Sequence, residues 1–488
     1  MRAMPPTWVN AELGEIVAPL SDGRTIHQGW SPQCLREPSE SEEVWGVLKT
    51  TSIQPGQFLP EHNKRLPELT EARPLIEVSA GDLLITCAGP RSRCGVACLV
   101  RSTRRRLLMS GKMYRFRFDE RYLDSRFVEA FLLSSEAWDA IDKMKTGGSD
   151  SGLNLTHERF RGLQIPIAPL AEQKRIVAAI EEAFSKLDAG EAGLQKVRQQ
   201  LRHLRNTVLS AAVTGKLTDQ LAEDVPIRTS IPLLGLTQVE DTMLEALPES
   251  WEWVTLGSVS EIAGGIQKQP KRAPNKNPVA FLRVANVGRG QLDLSQIHNI
   301  ELFEGELARY GLRSGDLLVV EGNGSPEQIG RCALWSAQIE VCTHQNHLIR
   351  VRPKEYLLSK YLELFWNSPG GSRRVQNVAS STSGLHTLST GKLKVLPVAL
   401  PPVAEQIRIA AEVERQFSFI DAAERAVETG LLRSAALRRS ILKAAFEGKL
   451  VPQDPTDEPA SVLLERIRAE RLASASTTPK RTRTKVSK

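Results

Sequence analysis

The chain has 488 residues and is moderately basic, with 64 Lys and Arg residues against 57 Asp and Glu residues and a net charge of +7. This length accommodates two domains with hydrophobic cores plus helical connectors, and the charge fits a nucleic-acid partner without requiring one. No apolar run approaches the roughly 18 residues of a membrane-spanning helix. The start of the chain lacks the apolar centre of a signal peptide, so a cytoplasmic protein is expected.

The six cysteines form neither a disulfide framework nor a metal-binding pattern. They are Cys34, Cys87, Cys94, Cys98, Cys332 and Cys342. None of them pairs at the Cys-x2-Cys spacing of zinc sites, and the cluster of Cys342, His344 and His347 lacks a fourth ligand at the usual spacing. We therefore expect reduced thiols and no metal.

The first block of the chain, residues 1–168, predicts an α+β domain. Residues 81–83 (Gly-Asp-Leu) are typical of a turn before a buried strand, and residues 115–117 (Arg-Phe-Arg) alternate as strands do. An aromatic-bearing helix is predicted next. Residues 250–400 repeat this framework faintly, which indicates a second domain on the same scaffold.

A long helix is predicted over residues 169–216 and another over 401–449, because apolar residues recur there at alternating steps of three and four. The predicted seam residues are Ile176, Ile180, Leu187, Leu194, Leu201 and Leu204 in the first helix, and Ile409, Val413, Ile420, Val427, Leu437 and Ile441 in the second. Each helix would span roughly 65 Å. We predict that the two pair in an antiparallel, intramolecular coiled coil that acts as a spacer. The alternative is that each is only a long amphipathic core helix.

The two helices belong to a tandem repeat. Ala-Glu-Gln-x-Arg-Ile begins at Ala171 and again at Ala404, and Gly-Lys-Leu begins at Gly215 and again at Gly448, each pair being 233 positions apart. A chance match would not hold this register over a whole helix, so a duplication organises the protein. Residues 217–249 are predicted to form a linker, and residues 450–488 a docking segment followed by a basic tail.

The two blocks differ most in their loops. Residues 20–75 and 264–310 share almost no sequence, which is the pattern expected of two modules that recognise different ligands. Basic and amide side chains on such loops suit phosphate contact and base readout. The DNA-contact candidates are Arg91, Arg93, Arg104, Arg105, Arg106 and Lys112 in the first block, and Lys268, Lys271, Arg272, Lys276, Asn323, Gln328, Arg331, Gln345 and Asn346 in the second. The alternative for any one of them is solvated surface charge.

Motifs of catalysis are absent from the sequence. There is no Gly-x4-Gly-Lys-Ser/Thr phosphate loop, no Gly-x-Gly-x-x-Gly after a strand, and no Asn-Pro-Pro-aromatic run that would grip a flipped base. Asp82 and Asp316 fit the turn before a buried strand better than a nuclease site. A non-catalytic chain is expected.

The sequence resembles the specificity (S) subunit of type I restriction–modification systems over nearly its whole length. The resemblance rests on the Pro-rich entry followed by Ala-Glu-Gln-x-Arg-Ile (residues 169–176 and 401–409) and on the Gly-Lys-Leu exit. The Val-Pro-Gln-Asp-Pro-x-Asp-Glu-Pro-Ala run at residues 451–460 adds to it. One departure is that no obvious Pro-Gln-Asp-Pro run follows Gly215.

The resemblance implies an α+β protein with two target-recognition domains and two antiparallel spacer helices. Its expected domains are residues 1–168 and 250–400 for recognition, 169–216 and 401–449 for the spacer, 217–249 for the linker and 450–488 for docking. It also implies that the chain reads an asymmetric, bipartite site in double-stranded DNA. Two methyltransferase (M) subunits and restriction (R) subunits would be its partners and would carry S-adenosylmethionine, ATP and Mg.

Three alternatives stay open from the sequence. A coiled-coil scaffold without a DNA role would explain the helices but not the divergent basic loops. A free-standing methyltransferase–nuclease would need cofactor motifs, and binding of S-adenosylmethionine by the isolated chain would favour it. An S-like subunit of a methylation-only system cannot be separated from the main interpretation by sequence.

Overall fold

The computed structural model describes residues 4–227, 244–323, 328–382 and 385–477. The chain folds into two compact units. Unit 1 comprises Met1–Gly193 with Gly430–Lys488, and unit 2 comprises Leu194–Thr429. Each unit therefore combines one α+β block with the start of one long helix and the end of the other. No helix among the described residues has the length and apolar character needed to cross a membrane.

The first long helix runs over Leu170–Val213 and the second over Val403–Phe446. Each is closed by a glycine in the left-handed conformation, Gly215 at φ 70° and Gly448 at φ 68°, as helix C-termini commonly are. A side chain at either glycine would collide with a proline, since a Cβ atom would lie 2.3 Å from Pro248 Cγ or from Pro5 Cγ.

The first block is built from short strands and short helices. Its strands are Val9–Glu12, His27–Gln28, Gly46–Leu48, Ile53–Gln54, Gln57–Phe58, Asn63–Arg65, Leu83–Thr86, Ala88–Gly89, Ala97–Leu99, Leu107–Leu108, Met113–Phe116, Lys145–Thr146, Leu153–Leu155 and Gln164–Ile167. Its α-helices are Leu13–Ile16, Ser125–Leu132, Ser135–Met144 and His157–Arg161, with single 3-10 turns at Thr50–Ser52 and Pro74–Ile76. A further helix, Ala460–Thr477, belongs to the same unit.

The second block repeats this list with few changes. Its strands are Glu252–Thr255, Ser260–Gly264, Pro278–Leu282, His298–Glu301, Leu317–Val320, Gly322–Asn323, Cys332–Leu334, Cys342–His344, Leu348–Pro353, Ser380–Thr382, Leu385–Thr387 and Pro397–Leu400. Its α-helices are Leu256–Val259, Glu306–Tyr310, Ser359–Asn367, Pro369–Val378 and Thr390–Lys394, with 3-10 turns at Pro270–Arg272 and Val284–Asn286.

The sheets of the two blocks share one topology. In each block a four-stranded antiparallel sheet is centred on the Asp-Leu-Leu strand, Leu83–Thr86 or Leu317–Val320. The preceding aspartates, Asp82 and Asp316, are fully buried and accept hydrogen bonds from Arg117 and Arg352 respectively. They are therefore turn residues held by internal arginines. The expected fold class, two α+β domains joined by long helices, is confirmed.

A three-stranded sheet also recurs, and two of its three strands lie in the regions 20–75 and 264–310, whose sequences differ. We call it the divergent sheet. In the first block it joins Gly46–Leu48 to Asn63–Arg65 (antiparallel) and to Leu107–Leu108 (parallel). In the second it joins Pro278–Leu282 to His298–Glu301 (antiparallel) and to Cys342–His344 (parallel). The regions 20–75 and 264–310 thus share one antiparallel strand pair although their sequences differ.

Candidate nucleic-acid interface

The repeated Ala-Glu-Gln motif fastens each block to the start of its long helix. Glu172 and Glu405 are buried, and each accepts a hydrogen bond from a tryptophan indole, Trp8 Nε1 at 3.0 Å and Trp251 Nε1 at 2.7 Å. Burial raises the pKa of both carboxyl groups above the usual value, although the hydrogen bonds oppose this shift. The motif therefore has a structural role that is the same in both units.

A glutamine and an aspartate from the segment after the other long helix complete each contact. Gln453 donates to Glu172 and Asp457 pairs with Arg175 at 2.7 Å. In unit 2, Gln220 donates to Glu405 at 2.6 Å and Asp224 pairs with Arg408 at 2.6 Å.

Gln220 and Gln453 are 233 positions apart, as are Asp224 and Asp457. The run after Gly215 is therefore the counterpart of the Pro-Gln-Asp-Pro run, although it lacks the prolines. This correspondence is visible in the sequence only when the 233-residue register is extended past Leu217.

The two long helices pair in antiparallel fashion within each unit. In unit 2, Arg205 bonds to Asp421 and Glu424 and lies over the ring of Phe417. In unit 1, Arg438 bonds to Asp188 and Glu191 and lies over the ring of Phe184. Every member of the first set has its counterpart in the second at the 233-residue offset, so one polar clamp is built twice.

The clamps displace two predicted seam residues. Leu204 is 46% exposed and Leu437 is 51% exposed, so neither packs in the seam as predicted. The physical reason is that Arg205 and Arg438 occupy those turns, with their aliphatic stems against phenylalanine and their charged ends on carboxylates. Of the other predicted seam residues, Ile176, Ile180, Ile409, Val413, Ile420 and Val427 are buried, and Leu187, Leu194, Leu201 and Ile441 are half-buried.

Four of the six DNA-contact candidates in the first block bond to other groups of the chain, Arg91 at the surface and the other three half-buried. Arg91 pairs with Asp142 at 2.6 Å and Asp150 at 3.1 Å. Arg104 donates to the carbonyl oxygens of Ser39 and Ser41, and burial lowers its pKa. Arg93 and Arg106 also donate to backbone carbonyls, those of Thr50 and Ile53 and that of Glu43 respectively. Arg105 and Lys112 are exposed.

The DNA-contact candidates of the second block likewise comprise residues that bond to other groups of the chain and residues that are exposed. Arg272 pairs with Glu306 at 2.7 Å, and this contact lowers the pKa of Glu306 to about 2. Arg331 donates to the carbonyl oxygens of Val287 and Val284. Lys268, Lys271, Lys276 and Gln328 are exposed, Gln345 and Asn346 are half-buried, and Asn323 belongs to the strand Gly322–Asn323, its side chain lying outside the described part.

Arg93 and Arg331 are equivalent braces rather than free surface cations. Arg93 holds the carbonyls of Thr50 and Ile53 at 2.6 Å each. Arg331 holds those of Val284 and Val287 at 3.1 and 2.6 Å, and each carbonyl pair is offset by 234 positions. Because the guanidinium groups are committed to the backbone, DNA contact by these two arginines would need that backbone to rearrange.

The described residues contain no group of three His, Cys, Asp or Glu side chains that could hold a metal ion. Cys342 is buried, which raises its pKa to about 12. His344 is buried without a hydrogen-bond partner among the described residues, and burial lowers its pKa to about 3. The neighbouring thiol and imidazole are therefore neutral core groups.

A chain with two copies of one α+β scaffold, different loops in each copy and a repeated long-helix framework is a two-module recognition protein. No family model matches the sequence. The specificity subunit of the type I restriction enzyme EcoKI from Escherichia coli (strain K12) is 32% identical over 368 residues, which cover 73% of this chain and 74% of that protein. The StySPI specificity subunit from Salmonella potsdam is 29% identical, over 73% of each.

These relatives show that the chain belongs to the family of type I restriction enzyme specificity subunits. A solved structure, described as the structural basis of complex assembly and conformational transition of the type I R-M system, has the same fold. It matches with a TM-score of 0.67 and 19% identity over 92% of this chain and all of that one. The expected function, sequence-specific recognition of DNA, is confirmed by this membership.

Proposed function

We propose that this specificity subunit reads an asymmetric, bipartite sequence in double-stranded DNA, with one half-site read by each block. The observation that carries the proposal is the divergent sheet, whose strand pairing is the same in both blocks and whose side chains differ. Val47 and Lys64 are cross-strand neighbours in the first block, where Phe281 and His298 stand in the second. Unlike side chains on like scaffolds select unlike bases.

Two modules on one framework bind more tightly than either alone. A single block offers few base contacts, so it reads a short run weakly. Tethering makes the second contact intramolecular and raises avidity by roughly 10² to 10⁴. The long helices act as the spacer that fixes the separation of the half-sites.

The partners in this proposal are two methyltransferase subunits, which dock on the long helices, and restriction subunits, which join that core. Exposed apolar side chains on the helices support it. Val197, Leu204 and Phe419 in unit 2, and Leu432 and Leu437 in unit 1, are between 40% and 67% exposed. Exposed apolar side chains on these helices are available for contact with a partner protein.

The chain itself is non-catalytic and cytoplasmic in this proposal. S-adenosylmethionine, ATP and Mg then belong to the partner subunits. The absence of phosphate-loop and methyltransferase motifs from the sequence supports this division of labour.

A methylation map of host DNA, with and without the gene and with the methyltransferase subunits present, tests the proposal. We expect a split, asymmetric methylated motif that disappears with the gene. Exchanging residues 250–400 for the equivalent block of another specificity subunit should then change one half of the motif and leave the other half. A map that does not depend on the gene, in cells where the complex is shown to assemble, would favour the scaffold alternative.

A further inference from the structure

Each block carries a cation at the same point of the divergent sheet. Lys49 follows the strand Gly46–Leu48 and precedes the 3-10 turn Thr50–Ser52. Arg283 follows the strand Pro278–Leu282 and precedes the 3-10 turn Val284–Asn286. The two residues are 234 positions apart and both are half-buried.

The turn after this cation is held in place by the same contacts in both blocks. Arg93 and Arg331 brace its carbonyl groups, as described above. Gly56 and Gly290 lie four positions after it in the left-handed conformation, at φ 69° and 71°, and their N–H groups donate to the carbonyl oxygens of Ala97 and Cys332 at 3.1 and 2.8 Å. A backbone fixed this tightly gives the preceding cation a defined position.

Each block also has a second basic side chain. It is the cross-strand partner of the residue that lies two positions before the cation. Lys64 is the cross-strand partner of Val47, and His298 is the partner of Phe281. Paired residues share one face of a sheet, and so do residues two apart along a strand. Lys64 and His298 are exposed, whereas Val47 and Phe281 are buried. Each block therefore presents two basic groups over an apolar floor.

In the second block this face opens into a cavity of about 630 Å³, whose lining includes Lys268, Phe281, Arg283 and His298. The carboxylates near the cavity are occupied elsewhere. Glu301 accepts from the N–H groups of residues 275–277, at 2.7 to 3.1 Å, and Glu306 is paired with Arg272.

The basic groups of the face are left without a counter-ion. In the described part of the chain no carboxylate pairs with Lys49, Lys64, Arg283 or His298, and the buried Nε of Arg283 has no hydrogen-bond partner there. Such a group favours an anionic ligand.

The chemistry that the two blocks share indicates the ligand. Half-sites of different sequence have only the sugar–phosphate backbone in common, and phosphate contacts position a protein without reading sequence. Positions that keep a cation in both blocks suit that common backbone. We propose that Lys49 and Arg283 are equivalent phosphate-binding residues, one for each half-site. The proposal rests on the DNA-recognition function above.

The test uses the complex of this chain with its methyltransferase subunits and two duplexes, one bearing the mapped motif and one with that motif scrambled. Affinity is measured over a range of NaCl concentrations for wild type, Arg283→Ala and Lys49→Ala. We expect each substitution to weaken binding to both duplexes by about tenfold. The slope of log affinity against log salt should fall in magnitude by about 0.9 for each phosphate contact removed.

Two further variants separate charge from folding. Arg283→Lys should recover most of the lost affinity and the wild-type slope, because it restores the charge. Lys354→Ala removes an exposed cation that follows the strand Leu348–Pro353 of the four-stranded sheet, outside the divergent sheet. It should leave the affinity and slope as in wild type. Thermal unfolding of each complex confirms that the fold is retained.

If the affinity and the salt slope are unchanged in both alanine variants, the proposal is wrong. The recognition function still stands in that case if the wild-type complex prefers the mapped motif. Loss confined to the mapped duplex, with an unchanged slope, would make these residues base readers and would also overturn it. A wild-type complex without preference for any motif would instead remove the function on which the proposal rests.

Discussion

Two buried glutamates explain why the Ala-Glu-Gln motif occurs twice. Glu172 and Glu405 each receive an indole N–H and a glutamine amide, so they join a block, a helix start and the segment after the other helix. Burial raises their pKa. Each carboxylate is nonetheless needed at its position, because the buried indole of Trp8 or Trp251 would otherwise lack an acceptor.

Glu405→Ala should therefore lower the stability of unit 2. It leaves the Trp251 indole and the Gln220 amide without their acceptor, and an unsatisfied buried donor costs about 1–3 kcal/mol. Denaturant unfolding of the isolated chain measures the change. Glu412→Ala, which removes a glutamate that pairs with the neighbouring Arg415 on the helix surface, is the control and should cost less than about 0.5 kcal/mol. Equal effects of the two substitutions would contradict this account.

The motif could be recognised from the sequence alone, but the hydrogen-bond partners of its residues could not. Glu172 and Arg175 stand out because they recur, whereas Gln453 and Asp457 lie about 280 residues further along the chain. Nothing local to a residue indicates a contact at that separation. The signal that was available was the duplication itself, since Gln220 and Asp224 keep the same register.

At the scale of elements, the helix seam shows the limit of a prediction from hydrophobic period. Leu204 was chosen because it is apolar, yet the neighbouring Arg205 makes the contact with the second helix. The period identifies the face to within about one residue, and side-chain length decides the rest. The divergent sheet was invisible for a related reason, because strands of two to five residues carry too little pattern.

Substitutions in this seam should separate residues that stabilise the isolated chain from residues that bind the methyltransferase subunit. Arg205→Ala should destabilise the isolated chain by about 1–2 kcal/mol, through lost packing, cation–π and ion-pair contacts. Leu204→Ala should change its stability by less than about 0.5 kcal/mol, because the side chain is largely exposed. Leu204→Ala should instead weaken binding of the methyltransferase subunit if that subunit docks on the helices.

Chemical unfolding of the isolated chain and titration with the methyltransferase subunit check the two halves of that prediction. Leu69, which is fully exposed in the first block, provides the control as Leu69→Ala. A Leu204 variant less stable than the Arg205 variant would mean that the clamp is not what holds the helices together.

At the scale of the whole molecule, each unit is completed by a segment that follows the helix of the other repeat. Ala460 donates its N–H to Thr7 in unit 1, and Ile227 donates its N–H to Ser250 in unit 2. Each half of the sequence therefore carries both a docking segment and the surface that receives one.

This exchange of docking segments predicts that the first half alone forms a homodimer. Residues 1–227 contain Trp8, Glu172 and Arg175 but lack Gln453 and Asp457. Gln220 and Asp224 of a second copy supply the same two groups at the equivalent positions, so two copies should replace the two halves. The dimer should depend on concentration, since the folded half is completed only by association, and with methyltransferase subunits it should direct methylation to a symmetric motif built from the first half-site twice.

Analytical ultracentrifugation of residues 1–227 measures the first expectation and a methylation map the second. The control is the same fragment with Gln220→Ala and Asp224→Ala, which should shift towards monomer because Glu172 and Arg175 then lose both partners. A fragment that stays monomeric at high concentration, or a dimer indifferent to those substitutions, would show that these contacts do not hold the halves together. A symmetric methylated motif would show that the asymmetry of the natural target arises from the difference between the two blocks.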